Sequence, residues 1–200
     1  MSEPFTPEEL RLLDSAAYPL LKASAFKKLE QLLADTRDAL LPAVEKQAAF
    51  FPAGTDLRTG KISKGENYLQ LPWMVLDFPR LFDKEEVFAY RTLFWWSHGF
   101  TCTLHLQGGA LEKLRPQLLL NAELLRKKNF FFGVHSDPWR HEVSADNYRA
   151  MDELGAEELR ELIRARAFVK LMRRMDVKDW RELPGFAAET FGMLLRAAGA

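Results

Sequence analysis

The chain has one cysteine, four histidines and no net charge, and each shortage removes a class of protein. A lone Cys102 excludes an intrachain disulfide and suits a reducing compartment, so the cytoplasm is the expected location. Lys and Arg (28) balance Asp and Glu (28), so no overall field draws nucleic acid or an anionic membrane. The longest apolar runs, such as residues 87–96 interrupted by Arg91, fall far short of the ~20 residues a spanning helix needs. Residues 1–10 are polar and acidic, with neither a basic nor an apolar leader region, so no secretory signal is expected. Repeats, low-complexity tracts and long linkers are also missing.

What is abundant is apolar material. At 48% hydrophobic over 200 residues, the chain can close a sizeable core, since a domain of this length hides roughly 70% of its unfolded surface. The densest stretch is residues 68–107, which holds Trp73, Trp95, Trp96, His98 and His105.

Thr6-Pro7-Glu8-Glu9 carries a capping box and a proline at the first helical position, so a helix starts there. Pro19 is expected to end or kink it. A second helix is expected over residues 21–40, with Phe26, Leu29, Leu33 and Leu40 on its apolar stripe. Pro42 then opens a shorter helix ending near Phe51. Residues 52–66 read as the main loop, punctuated by Gly54, Gly60 and Gly65. Gly60-Lys61 is no phosphate loop, because the partner glycine is one residue out of place and Ile62 holds the Ser/Thr position.

Residues 69–78 are apolar on both faces, as in a strand covered from both sides. Pro72 delays the strand proper to Trp73, and Asp77 ends it. Residues 88–97 and 100–107 read as a hairpin turning at His98-Gly99, with Cys102, Leu104 and Leu106 on one face and Thr101, Thr103, His105 and Gln107 on the other. The competing reading is a helix over 87–96, started by a capping box at Asp83-Lys84-Glu85-Glu86. In the hairpin, His105 is expected opposite Thr92 or Arg91. Further along, the pattern predicts a helix over 111–128, a strand over 130–134 and a loop over 136–142. It then predicts a short helix from Ser144 to Asp152, a long helix over 156–175 and a final helix from 183 or 185 to about 197.

The order places helices before and after strands. The expectation is a single α+β domain over residues 1–200: a small, mainly antiparallel sheet of three to five strands, covered by N-terminal and C-terminal helices. Its parts are a helical 1–51, a sheet-containing 66–136 and a helical 144–198.

The leading candidate site is the polar face of that hairpin, Arg91, Thr92, Thr101, Thr103, His105 and Gln107, with Trp95 or Trp96 beside it and Asp77 at the end of the preceding strand. Apolar walls with a few converging polar groups describe a small-molecule pocket. Asp77 either pairs with Arg91 structurally or orients a histidine as a general base. A second candidate is a metal site from His135, Asp137 and His141, because His-x-Asp supplies two members of a facial triad; the alternative is an ordinary Asp-Pro turn. Cys102 shares parity with Leu104 and Leu106 and reads as a buried, inert thiol. The basic run Arg160, Arg164, Arg166, Lys170, Arg173 and Arg174 alternates with acids as a solvated helix face does, so nucleic acid is not the expected partner.

No motif names a reaction or a cofactor. The sequence therefore favours a binding or interaction module with an aromatic-lined pocket beside the hairpin, taking a small apolar or mixed ligand or a protein partner. The rival is a metal-dependent or cofactor-free enzyme using His105 with Asp77 and Arg91, or the His135/Asp137/His141 loop. A purely structural protein would instead show no cavity and an exposed aromatic patch.

Overall fold

The computed structural model describes residues 3–126 and 128–200. Two sequence readings, the leader-free first ten residues and the helix over 111–128, touch Met1, Ser2 and Lys127, which lie outside them. The chain opens with α1 (Pro7–Leu13), where the Thr6 hydroxyl accepts from the Glu9 amide at 3.2 Å and the Glu9 carboxylate accepts from the Thr6 amide at 2.6 Å. The helix α2 (Ala17–Lys46) carries Pro19 in its first turn and runs straight through Pro42. This corrects the expected break at Pro42. Proline removes one backbone bond there, but Leu33, Leu40 and Val44, all 0% exposed, anchor the helix along its length.

Among the described residues seven strands form one antiparallel sheet: β1 (Lys61–Tyr68), β2 (Leu71–Phe82), β3 (Val87–Trp95), β4 (Gly99–Gln107), β5 (Phe131–Gly133), β6 (Tyr148–Ala150) and β7 (Phe168–Met175). Their order across the sheet is β1-β2-β3-β4-β7-β5-β6, so the expected three to five strands become seven. Three stretches account for the difference. Residues 61–66 form an edge strand although Lys61, Ser63, Lys64 and Glu66 make them look like loop. The predicted helix from Ser144 is a turn leading into β6. The predicted helix over 156–175 ends early as α4 (Ala156–Ala165), and the rest becomes β7, a central strand held by β4 on one side and β5 on the other. The basic run is thereby divided between a helix and a strand and forms no continuous face.

The hairpin exists as β3 and β4, and the helix reading of 87–96 does not hold. Its register corrects one expectation: His105 faces Ala89, Arg91 faces Thr103, and Thr92 faces Cys102. β2 also continues past Asp77, through a cis Phe78–Pro79 bond and a register shift, to Phe82.

Strand parity divides the sheet into two unlike faces. Phe78, Phe88, Tyr90, Phe100, Cys102, Leu104 and Leu171 point to one side, against α2, α3 (Gly109–Arg126) and α5 (Leu183–Ala198). That layer is the main core, and the buried Tyr90 hydroxyl donates to the Ala187 carbonyl at 2.7 Å. Val75, Leu93 and Trp95 form a second apolar cluster on the opposite side, packed with Tyr68, Leu71 and Trp73. Among the described residues no helix contributes to this second cluster. No helix among the described residues is long and apolar enough to cross a membrane.

Candidate functional site

On the face opposite α2, α3 and α5, the long connection from β5 to β6 folds over the sheet. Its base is closed by the Val134 amide donating to the Asn147 carbonyl at 2.8 Å, and the Asn147 side chain donates to the Glu142 carbonyl at 2.7 Å. The loop is pinned to the strands at three points. The Tyr68 hydroxyl on β1 accepts from the His141 amide at 2.9 Å and donates to the Glu142 carboxylate. Arg91 on β3 reaches the His141 ring. Lys170 on β7 donates to the Arg140 carbonyl.

Between loop and sheet lies a cavity of about 210 Å³. Val75 and Leu93 line it from the sheet, Tyr68, Trp73, Trp95 and Trp139 supply aromatic surface, and Arg91 and His141 supply its polar groups. A dry 150 Å³ cavity accepts benzene, so this volume suits one or two fused rings and falls below drug-sized pockets. A far smaller space of about 10 Å³, at the threshold for one water, adjoins it. Arg91 and His141 stand in the walls of both, and Thr103, His105 and Lys170 line the smaller one.

Asp77 and Arg91 are register partners on β2 and β3, and their side chains meet fork to fork at 2.7 and 3.0 Å. Arg91 Nη1 lies 2.8 Å from His141 Nε2. A guanidinium only donates, so Nε2 accepts and the imidazole proton is on Nδ1. Burial, with Arg91, Lys170 and His105 nearby, pushes the His141 pKa down to about 2. Burial and the same two cations push His105 down to about 3. Both rings are neutral at physiological pH, and both are too weak to act as general bases near pH 7.

His105 is 4% exposed, makes edge contact with Trp139 at 5.3 Å between ring centroids, and has no hydrogen-bond partner for Nε2. Lys170 is 2% exposed. Its ammonium lies 5.0 Å from the Tyr148 ring centroid, and burial, followed by Arg91, pushes its pKa down to about 8. Burial pushes the Glu142 carboxyl up, but hydrogen bonds from Tyr68 and Arg140 outweigh this and hold it below the usual range.

Of the expected site residues, Asp77, Arg91, Trp95 and His105 share this face, with Thr103. Trp96 does not: adjacent strand-end residues point opposite ways, and Trp96 packs on the helix side against Phe26 at 6.1 Å. Thr92 is also on the helix side, 3.9 Å from Cys102. The carboxylate-oriented His105 does not form: Asp77 bonds Arg91 through both oxygens, and His105 Nε2 has no partner among the described residues. The expected metal set does not gather either. His135 Nδ1 accepts from the Asp137 amide at 3.0 Å, Asp137 accepts from the Trp139 amide at 2.8 Å, and His141 turns away to Arg91. Among the described residues no group of three or more His, Cys, Asp or Glu could hold a metal ion. Cys102 is 0% exposed on the helix side, its thiol pushed up to about 11 by burial.

Sequence reasoning missed Tyr68, Trp73, Val75, Leu93, Trp139 and Lys170 as members of the site. Lys170 carried a usable signal: it interrupts an apolar run, Phe168-Val169-Lys170-Leu171-Met172, at a parity shared with Phe168 and Met172. No family model matches the chain, and no curated protein or solved structure is similar to it.

Proposed function

We propose that this protein binds a small, largely apolar ring compound in the cavity between the β5–β6 loop and the sheet. One observation carries the reading: a chamber of about 210 Å³ walled by four aromatic side chains, with its few polar groups at one end. Catalysis with His105 or His141 as the general base is the weaker alternative, since burial pushes both imidazoles well below neutrality. The single, buried Cys102 favours a reducing, cytoplasmic setting.

The test is titration with indole, followed by tryptophan fluorescence, for wild type and Leu93→Trp. Saturable binding to wild type and its loss in the variant, which fills the chamber, is the expected outcome. Identical responses from both proteins would place indole elsewhere and remove the pocket reading.

A protein partner is the second reading, favoured by the exposed Leu10, Leu12, Leu13, Leu20 and Leu21 along α1 and the start of α2. It predicts that Leu12→Glu with Leu20→Glu abolishes concentration-dependent self-association or partner capture without altering the thermal midpoint. An unchanged association profile would remove it.

A further inference from the structure

We infer that the ligand of this cavity is an aromatic monocarboxylic acid, bound as its anion with the carboxylate at Arg91 and His141, beside the smaller space that Lys170 lines. This rests on the pocket reading and specifies its chemistry. The first argument is the inventory of hydrogen-bonding groups. Arg91 has five N–H donors, of which two go to Asp77 and one to His141, leaving two with no protein acceptor among the described residues. His141 carries its proton on Nδ1, a further donor. The acceptors at that end are engaged: both Asp77 oxygens hold Arg91, and the Tyr68 hydroxyl accepts from the His141 amide. A ligand group that accepts here meets these donors.

Charge decides between a neutral acceptor and an anion. Arg91 has Asp77, and Arg140 has Glu142 and Asp146. Lys170, 2% exposed, makes no ion pair among the described residues and has only a backbone carbonyl and a tyrosine ring as partners. A buried ammonium whose nearest carboxylates, Glu142 and Asp137, act only through space is costly, and so is the buried, unpartnered Nε2 of His105 beside it. Arg91, Arg140 and Lys170 are matched in number by Asp77, Glu142 and Asp146, but of these three cations Lys170 alone has no carboxylate at ion-pair distance among the described residues, and a single negative charge suits it better than a phosphate dianion. The aromatic walls would suit an organic cation, but Arg91 and Lys170 oppose one. The chamber volume sets the rest of the molecule at one or two rings.

The experiment compares 2-naphthoate with 2-naphthamide, which differ little in shape and by one charge, by calorimetric titration at low salt. Wild type is expected to bind the acid at least about tenfold more tightly than the amide, the scale of one charge-assisted hydrogen bond. Lys170→Met should lose that preference. Equal wild-type affinities for acid and amide, with indole still binding, would overturn the anion and leave the pocket standing. Failure of all three compounds to bind would overturn both. The wild-type comparison decides the matter even where Lys170→Met does not fold.

Discussion

Gly65 on β1 and Trp73 on β2 are register partners, and a methyl group on residue 65 would lie 2.6 Å from Cε2 and Nε1 of the indole. The absence of a side chain at 65 lets Trp73 lie flat along the edge strand, where it also walls the cavity. Gly65→Val should therefore push the ring from its seat. The expected cost is about 1–3 kcal/mol by urea unfolding, the range for overpacking, with a reduced near-ultraviolet tryptophan signal and weaker indole binding. A variant with an unaltered spectrum would show that Trp73 has room to spare.

The Asp77–Arg91 pair is buried, with side chains 9% and 16% exposed. Asp77→Asn leaves the guanidinium without its counterion, and a loss of about 3–5 kcal/mol is expected. Replacing both members, Asp77→Leu with Arg91→Met, should cost clearly less than the single change. If the double variant is the less stable, the pair contributes more than the removal of a lone buried charge.

His105 sets a direction for acid stability. Its folded pKa, about 3, lies below the ordinary 6.5, so between those values the unfolded chain binds a proton that the native state refuses. The contribution is fully present above pH 6.5 and is lost as pH falls toward 3; His141 acts in the same direction. In His105→Gln, stability should decline between pH 6 and 4 less steeply than in wild type, by about 1.4 kcal/mol per pH unit. Equal slopes in urea titrations would mean that His105 takes up its proton freely in the native state.

Legibility in the sequence followed the strength of the local pattern. The β3–β4 hairpin was readable because Cys102, Leu104 and Leu106 alternate with polar residues, and α5 because its apolar residues recur at helical spacing. The 168–175 segment was not, because Val169 and Met172 also continue the three-residue spacing of Leu159, Leu162 and Ile163, and only tertiary pairing with β4 and β5 selects the strand. The edge strand β1 was hidden by solvent-facing Lys61, Ser63 and Lys64, the composition that keeps an edge from pairing with other chains. For the site, parity identified Arg91 and His105 but not their register, and no local signal revealed that a distant loop would bring His141 and Trp139 over them.

The placement of β7 between β4 and β5 has a consequence for how the molecule assembles. The first four strands are joined by tight turns and can zip in sequence, whereas β7 pairs with Phe100–Gln107 across sixty or more intervening residues. Contacts of that separation carry a larger loop-closure cost, so the sheet is expected to exist first as two unjoined pieces, the meander and the β5–β6 pair. The strand that welds them together delivers Lys170 on arrival. Arrival of Lys170 and completion of the fold then become a single late event, and a partially assembled chain has Arg91 and the aromatic walls of β2 and β3 without the buried lysine beside them.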